Sequence, residues 1–260
     1  WISITLNRKG HSMDLFNLEG KIALVTGALG LIGKEHCRAL AQAGATVIVA
    51  DLNGEACAEF ASTLPNGALG LAFGITSEEE VVKAAEWVES HFEFLDILVN
   101  NAGIYGPKGD VEDVDWAEWI KAIEINVYGS VLMCRELIGH FKQQRYGKVI
   151  QLSGGGATNP LPKISAYAVS KAAIVRFAGT LAEEVREFGI DVNSLAPGAL
   201  NTRMLEEVLM AGPEIVGKDF YARSLKQKES GGASIDRAAE LALFLASHVS
   251  DGITGKLISA

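Results

Sequence analysis

Short apolar runs rich in Val and Ile alternate along the chain with longer segments in which apolar residues recur at helical spacing. The predicted strands are 21–26, 46–50, 68–73, 95–100, 148–153, 190–195 and 256–259. They are apolar nearly throughout, which is typical of parallel strands covered on both faces. The pattern therefore predicts an α/β fold, with seven strands in one open parallel sheet and helices on both faces.

Helical periodicity falls between these strands. The predicted helices are 31–43, 54–63, 78–91, 115–144 (with a break), 166–188 and 235–248. A capping box starts the third helix, formed either by Thr76 with Glu79 or by Ser77 with Glu80.

One long region, 198–234, lacks a clear pattern, because Gly and Pro residues interrupt two short helical pieces. A loop of this length inside a compact domain is typical of a lid or a binding loop, so we expect it to contact the substrate. No repeat or linker divides the chain. We expect residues 14–260 to form a single domain and residues 1–13 to be a leader or a cloning-derived extension.

Composition excludes several classes of protein. The net charge of -9 opposes binding to nucleic acid, whose phosphates attract basic surfaces. No run approaches the ~18 apolar residues of a membrane span, so we expect a soluble, cytoplasmic protein without a membrane partner. The three cysteines have no CxxC spacing and favour reduced core thiols over metal ligands or nucleophiles. The five scattered histidines favour no metal site.

The first predicted strand runs into the segment TGALGLIG, residues 26–33, and then into a helix. Gly27, Gly30 and Gly33 allow a tight turn and a close approach to a pyrophosphate, whose charge the helix N-terminus stabilises. Leu31 and Ile32 lie in the same first turn of the helix. The motif predicts a dinucleotide site, although a merely tight turn would use the same residues.

Asp51 ends the second predicted strand and is followed by Leu52. An acidic side chain there accepts hydrogen bonds from a ribose diol and repels a 2'-phosphate. Neither neighbouring segment carries a Lys or Arg at the positions that would offset this repulsion. The residue favours NAD over NADP as cofactor; the alternative is that Asp51 only caps the next helix.

Tyr167 and Lys171 stand four residues apart on one face of a predicted helix. A phenol has an ordinary pKa near 10, and a cation one turn away would stabilise the phenolate and lower that pKa. The pair is therefore a candidate acid/base.

These segments appear together with NNAG (100–103), Asn126 in INVYGS, Ser153 before YAVSK, and PGALNT (197–202). In this combination the chain resembles the compact branch of the short-chain dehydrogenase/reductase family from about residue 18 to its end. The resemblance implies a doubly wound Rossmann-type sheet that binds NAD(P) at its carboxyl edge. It also implies a catalytic tetrad of Ser, Tyr, Lys and Asn.

Carried onto this sequence, the resemblance makes Tyr167 the proton-transfer group and Lys171 its partner on the nicotinamide ribose. Ser153 would bind the substrate oxygen, and Asn126 would support a water chain to Lys171. Asn100 would stabilise the central strands beside the adenosine ribose. The remaining expected cofactor contacts are Gly27, Gly30, Leu31, Ile32, Gly33, Asp51, Leu52, Ile75, Asn101, Ala102, Gly103, Pro197, Gly198 and Thr202.

Three positions depart from the family pattern. The compact branch usually has the glycine turn TGxxxGxG, but this chain has TGxxGxxG. The spacing found here is more common in sugar-nucleotide-modifying relatives. Gly74 stands where the family often has an Asp that contacts adenine, which leaves adenine to backbone groups near Ile75. Gly154 stands at the usual serine position, so either Ser153 takes that role or Tyr167 polarises the carbonyl alone.

We therefore expect an NAD-dependent oxidoreductase that interconverts a secondary alcohol and a ketone. The alternatives are a nucleotide-sugar epimerase or dehydratase with tightly bound NAD, and a catalytically retired dinucleotide-binding scaffold. The substrate would be a small molecule, and cations in the 198–234 loop give a weak preference for an anionic one. The resemblance further implies a homodimer or homotetramer.

Overall fold

A computed structural model describes residues 15–260, so the predicted leader at 1–13 lies outside the described residues. Seven parallel strands form one sheet in the order β3-β2-β1-β4-β5-β6-β7. The strands are β1 (Ile22–Thr26), β2 (Thr46–Asp51), β3 (Leu69–Ala72), β4 (Ile97–Asn100), β5 (Gly147–Leu152), β6 (Ile190–Ala196) and β7 (Leu257–Ser259). The predicted doubly wound α/β class is confirmed.

Helices connect successive strands and cover both faces of the sheet. They are α1 (Leu31–Gln42), α2 (Gly54–Ser62), α3 (Glu78–His91), α4 (Trp116–Ile123), α5 (Ser130–Gln144), α6 (Ser165–Val185), α7 (Arg203–Ala211), α8 (Pro213–Val216), α9 (Lys218–Glu229) and α10 (Ile235–Ala246). A π-helical turn, Glu124–Gly129, joins α4 to α5 at the predicted break.

Local sequence signals set several helix starts. Asn53 caps α2 by accepting a hydrogen bond from the Ala56 amide at 3.0 Å. Ser77 caps α3 in the same way, with the Glu80 amide as donor at 3.3 Å. Ser77, the cap residue of the second predicted capping box, therefore marks this helix start.

Alternate side chains of the central strands enter two separate cores. Ala23, Val25 and Val47 pack on the face covered by α1, α2 and α10. Leu24 and Ile48 face the opposite layer, which contains α3, α5 and α6. Coverage on both faces explains why these strands are apolar nearly throughout.

Two predictions of the fold need correction. The edge strands β3 and β7 are partly exposed, because a strand at the end of a sheet has a neighbour on one side only. The 198–234 region contains three helices, α7, α8 and α9, where two short helical pieces were predicted. Gly212 and Gly217, with φ of 80° and 83°, separate them.

The strand order reverses between β1 and β4, whose connections run to opposite sides of the sheet. At such a switch point the loops following the carboxyl ends of the strands diverge and leave a crevice. Apart from Asn126, which lies between α4 and α5, every motif singled out in the sequence follows the carboxyl end of a strand or opens the helix after it. The fold therefore gathers these motifs along one edge of the sheet.

A buried ion cluster lies at the opposite, amino-terminal edge. The Lys148 ammonium, with a side chain only 1% exposed, is 2.7 Å from both Asp191 and Asp251. Ser250 Oγ lies 3.3 Å from the same Nζ atom. Lys148 is on β5 and Asp191 on β6, so the pair links two central strands at their starts.

We expect Lys148→Ala to lower the free energy of unfolding by about 3 kcal/mol or more, because the mostly buried Asp191 carboxylate would lose its countercharge. Lys83→Ala, which breaks an exposed pair with Glu79, is the matched control and should leave stability unchanged. Urea unfolding of both variants measures the difference. Equal losses would show that the buried cluster adds nothing to stability.

Candidate functional site

The turn between β1 and α1 is packed too tightly for side chains at two of its glycines. A Cβ at Gly33 would lie 2.3 Å from the carbonyl oxygen of Gly27, and a Cβ at Gly27 would lie 2.7 Å from Ala102 Cα. Gly27 also has a φ of 61°, which favours glycine. Gly30 is the N-cap residue of α1 and supplies no side-chain cap. The amides of the first turn of α1, at Leu31, Ile32 and Gly33, thus suit an anionic group.

Asn101 holds this turn from the neighbouring strand. Its side-chain nitrogen donates to the carbonyl oxygens of Thr26 at 3.0 Å and Gly27 at 2.9 Å. Asn100 is placed differently: its side chain is buried and donates to the Ser130 carbonyl oxygen of α5 at 3.3 Å. Asn100 therefore joins the end of β4 to α5 through a buried side chain, and its expected place beside a ribose stays a prediction.

Asp51 lies at the carboxyl end of β2 beside the glycine turn. Its carboxylate accepts hydrogen bonds from the Leu29 amide at 3.0 Å and from the Leu52 amide at 2.8 Å. Asn53, and not Asp51, caps the following helix. The alternative reading of Asp51 as a helix cap is therefore wrong, and the carboxylate is left facing the crevice edge.

Tyr167 and Lys171 come together near the carboxyl end of β5. Both side chains are buried, and the Lys171 ammonium lies 5.5 Å from the centre of the Tyr167 ring. That ammonium donates to the carbonyl oxygen of Leu152 at 2.7 Å, the last residue of β5. The pair predicted from its four-residue spacing is thus formed on the buried face of α6.

The expected lowering of the phenol pKa does not occur in this structure. Burial raises the pKa of Tyr167, and the neighbouring phenol of Tyr105 raises it further. Burial also lowers the pKa of Lys171 to about 8. Desolvation of the phenolate outweighs any attraction to the cation, whose hydrogen bond goes to the main chain instead.

The Tyr167 hydroxyl occupies the space above Gly154. A Cβ at Gly154 would lie 2.2 Å from the Tyr167 hydroxyl oxygen, closer than two such atoms can approach. A serine at this position, the usual one in the family, would require the tyrosine to move. The adjacent Ser153 hydroxyl is buried and has no hydrogen-bond partner among residues 15–260. Such a group costs about 1–3 kcal/mol when left unpaired.

Asn126 lies within the π-helical turn, a distortion found frequently at functional sites. Its side-chain oxygen accepts from the Ile104 amide at 2.8 Å, and its nitrogen donates to the Ile104 carbonyl oxygen and to Ser170 Oγ. Both Asn126 and Lys171 lie close to Gly103. A Cβ at Gly103 would be 3.1 Å from Asn126 Oδ1 and 3.6 Å from Lys171 Nζ. Asn126 thus holds the loop after β4 against α6, next to Lys171.

The loop after β6 carries Pro197, Gly198 and Thr202, so these residues reach the same carboxyl edge. Thr202 is half-buried and directly precedes α7. Ile75 follows β3 at the far end of this edge. No hydrogen bond among the described residues joins any of these four residues to Tyr167.

Sequence reasoning missed a contact that holds the 198–234 region over the site. Lys108 donates to Glu207 of α7 at 3.1 Å and lies 5.7 Å from the centre of the Tyr105 ring. The Tyr105 ring in turn packs edge-on against Tyr167, with ring centres 4.6 Å apart. Tyr105 and Lys108 closely follow the NNAG motif in the sequence. That proximity was the signal that could have predicted their place beside Tyr167.

The short chain dehydrogenase family profile matches residues 21–211 of the chain. The chain belongs to the short-chain dehydrogenase/reductase family. It is 31% identical over 246 residues to a 3-oxoacyl-[acyl-carrier-protein] reductase from Aquifex aeolicus, covering 93% of this chain and 96% of that protein.

Solved structures of this family share the fold of our dehydrogenase/reductase. A gluconate 5-dehydrogenase from Burkholderia cenocepacia J2315, in complex with NADP and tartrate, superposes with a TM-score of 0.85 at 27% identity, covering 96% and 97% of the two chains. A 3-ketoacyl-(acyl-carrier-protein) reductase from Brucella melitensis, complexed with NADH, gives 0.83 at 31% identity, covering 94% and 98%.

Membership establishes the chemistry in outline. This short-chain dehydrogenase/reductase is a nucleotide-binding oxidoreductase that acts on CH–OH groups, and its family uses NAD(P). The comparisons do not favour the epimerase or dehydratase alternative raised by the glycine spacing. Within residues 15–260, no helix is long and apolar enough to cross a membrane.

We expect Gly154→Ala to displace the Tyr167 hydroxyl and lower turnover by about 100-fold, the order of loss that a small misplacement of a reacting group causes. Gly155→Ala is the matched control, because its Cβ would make an ordinary 3.6 Å contact with Leu161. Neither glycine has a positive φ, so neither substitution strains the backbone. Steady-state turnover and melting temperatures compare the two; equal turnover would mean that the tyrosine moves without cost.

Proposed function

We propose that this dehydrogenase/reductase interconverts a secondary alcohol and a ketone with NAD, and that Tyr167 is its acid/base. The observation that carries the proposal is the buried Tyr167–Lys171 pair at the carboxyl end of β5, within the crevice edge that also holds the glycine turn. A retired scaffold would have no chemical reason to bury a cation beside a phenol at this point.

The residues of the crevice fit a dinucleotide. Gly30 has no side chain, and a Cβ there would meet only the Gly27 carbonyl oxygen at 3.4 Å, so the uncapped start of α1 allows close approach of a pyrophosphate. Asp51 would hold the adenosine ribose, and Lys171 the nicotinamide ribose. The other residues that would contact the cofactor are Gly27, Gly30, Leu31, Ile32, Leu52, Ile75, Asn101, Ala102, Gly103, Tyr167, Pro197, Gly198 and Thr202. When bound, NAD or NADH accepts or supplies the hydride.

Tyr167 handles the proton. Because burial raises its pKa, the phenol is protonated at neutral pH and is ready to donate to the oxygen of a ketone as alkoxide charge develops. In the reverse direction the phenolate must form, and the Lys171 ammonium supplies the nearest positive charge. Asn126 supports this group by fixing the Ile104 segment against α6, and would hold the water chain that returns protons to Lys171.

Ser153 is the remaining candidate for polarising the substrate oxygen. Its hydroxyl is buried and unpaired among the described residues, and it is adjacent to the glycine under Tyr167. A bound oxygen atom would give this hydroxyl the partner that it lacks. Otherwise Tyr167 alone would polarise the carbonyl.

Two of the five cations in the 198–234 loop are paired: Arg203 lies 3.4 Å from Glu207, and Lys228 lies 2.8 Å from Glu206. Nearby Lys108 is paired with Glu207 as well. The other three, Lys218, Arg223 and Lys226, form no ion pair among residues 15–260. We therefore propose a small-molecule substrate and keep a weak preference for an anionic one. Assembly into a homodimer or homotetramer and a cytoplasmic location stay predictions.

We expect Tyr167→Phe to lower turnover at least 100-fold, because the substitution removes the proton donor while keeping the ring packed against Tyr105. Tyr128→Phe, on an exposed side chain, is the control and should be nearly as active as the wild type.

The assay is a screen of alcohols, polyols, sugars and acyl thioesters with NAD and NADP in parallel. Turnover is measured by the absorbance of the reduced coenzyme. Equilibrium binding of NADH should survive in Tyr167→Phe. Unchanged turnover in this variant would refute the proposed role of the tyrosine, and NADH binding by the wild type without turnover on any substrate would favour a scaffold.

We expect Asp51→Asn to raise the NADP-to-NAD ratio of kcat/KM by about tenfold, a change of about 1.4 kcal/mol. The reason is that a carboxylate at the end of β2 repels a 2'-phosphate, whereas the isosteric amide does not. Glu55→Gln removes an exposed carboxylate a few residues further on and should leave the ratio unchanged. If the wild type already prefers NADP, Asp51 does not select the cofactor.

A further inference from the structure

Glu80, in the first turn of α3, turns back toward the carboxyl edge of the sheet. Its Oε2 atom accepts a hydrogen bond from the Gly74 amide at 2.7 Å. In a complete capping box the carboxylate would instead accept from the amide of the cap residue, Ser77. Here the Ser77 amide donates to the carbonyl oxygen of Gly74 at 3.1 Å, so the helix cap does not use the Glu80 carboxylate.

This carboxylate lies beside the outer end of the proposed cofactor crevice. A Cβ at Gly74 would lie 3.4 Å from Glu80 Oε2 and 3.6 Å from Leu52 Cδ2. Leu52 is 77% exposed and directly follows Asp51, the residue proposed to hold the adenosine ribose. A dinucleotide whose pyrophosphate lies on α1 and whose ribose lies at the end of β2 places its base over the ends of β2 and β3. Leu52 would provide an apolar surface for that base.

The hydrogen-bonding capacity around Gly74 matches one edge of adenine. Adenine presents the 6-amino group as a donor and N1 as an acceptor. The Glu80 Oε1 atom accepts from no other residue within 15–260, and the Ile75 amide donates to none. Glu80 Oε1, an acceptor, and the Ile75 N–H, a donor, are therefore both available at the same edge of the sheet.

We propose that Glu80 is a specificity-determining residue of the cofactor site and accepts a hydrogen bond from the 6-amino group of adenine. The inference rests on the proposed NAD(P) binding and deepens it. It assigns recognition of the base to a side chain of α3, because Gly74 has no side chain. The hydrogen bond from the Gly74 amide holds the Glu80 carboxylate beside position 74.

Hypoxanthine is the discriminating probe, because it replaces the 6-amino donor with a carbonyl acceptor and N1 with a donor. Equilibrium dissociation constants are measured by fluorescence for NADH and for reduced nicotinamide hypoxanthine dinucleotide. We expect the wild type to bind NADH about tenfold more tightly, since an unmatched acceptor facing the carboxylate is penalised. If only the phosphorylated coenzyme binds, NADPH and its hypoxanthine analogue are compared in the same way.

Glu80→Gln should abolish or reverse this discrimination. The glutamine oxygen would keep the hydrogen bond from the Gly74 amide, which leaves the glutamine NH2 group facing the base as a donor to hypoxanthine O6. Glu80→Ala should lower the ratio without bringing it to one, because the Ile75 amide still favours adenine N1 over the N1–H group of hypoxanthine. Glu79→Gln is the matched control on the same turn, because Glu79 pairs with Lys83, and it should keep the wild-type ratio.

A wild-type ratio near one, or a ratio unchanged in both folded Glu80 variants, overturns the role of Glu80 and leaves the proposed function intact. Melting temperatures confirm that the variants fold. Absence of binding by either reduced coenzyme in the wild type overturns the proposed function, and this inference falls with it.

Discussion

The hydrogen bond from the Lys171 ammonium to the carbonyl oxygen of Leu152 fixes the geometry of the site. An ammonium that is almost fully buried must find an acceptor, because an isolated charge in the interior is very costly. The acceptor is the last residue of a central strand, so the bond sets the position of α6 against the sheet. Tyr167, one turn earlier on that helix, is thereby held at the carboxyl edge.

The same constraint explains one of the departures from the family pattern, the glycine at position 154. With α6 anchored in this way, the Tyr167 hydroxyl lies directly over the main chain at position 154, and only glycine leaves room for it. The side-chain hydroxyl that the site retains is Ser153, one residue earlier and buried. Gly154 thus leaves the space that the Tyr167 hydroxyl occupies.

Coverage of the substrate side depends on longer-range contacts. The ring of Tyr105 packs against that of Tyr167, and the Lys108–Glu207 pair joins the loop after β4 to α7. The loop after β4 and α7 therefore meet beside Tyr167, the proposed acid/base. Burial at this position raises the pKa of the phenol and favours its protonated form.

The sequence by itself determined the class of fold, nearly all strand positions and the cluster of motifs at one sheet edge. These features are local: apolar runs, helical spacing and cap residues act over a few neighbours, so the break at 115–144 and the start of α3 at Ser77 were readable. It also placed Tyr167 and Lys171 on one helical face.

Only the tertiary structure decided what surrounds each group. The raised pKa of Tyr167, the inward turn of Asn100 and the partial exposure of β3 depend on segments distant in sequence. The Glu80–Gly74 contact depends on the path of the loop between β3 and α3. Desolvation and packing are properties of the whole folded chain, and a residue spacing carries no information about them.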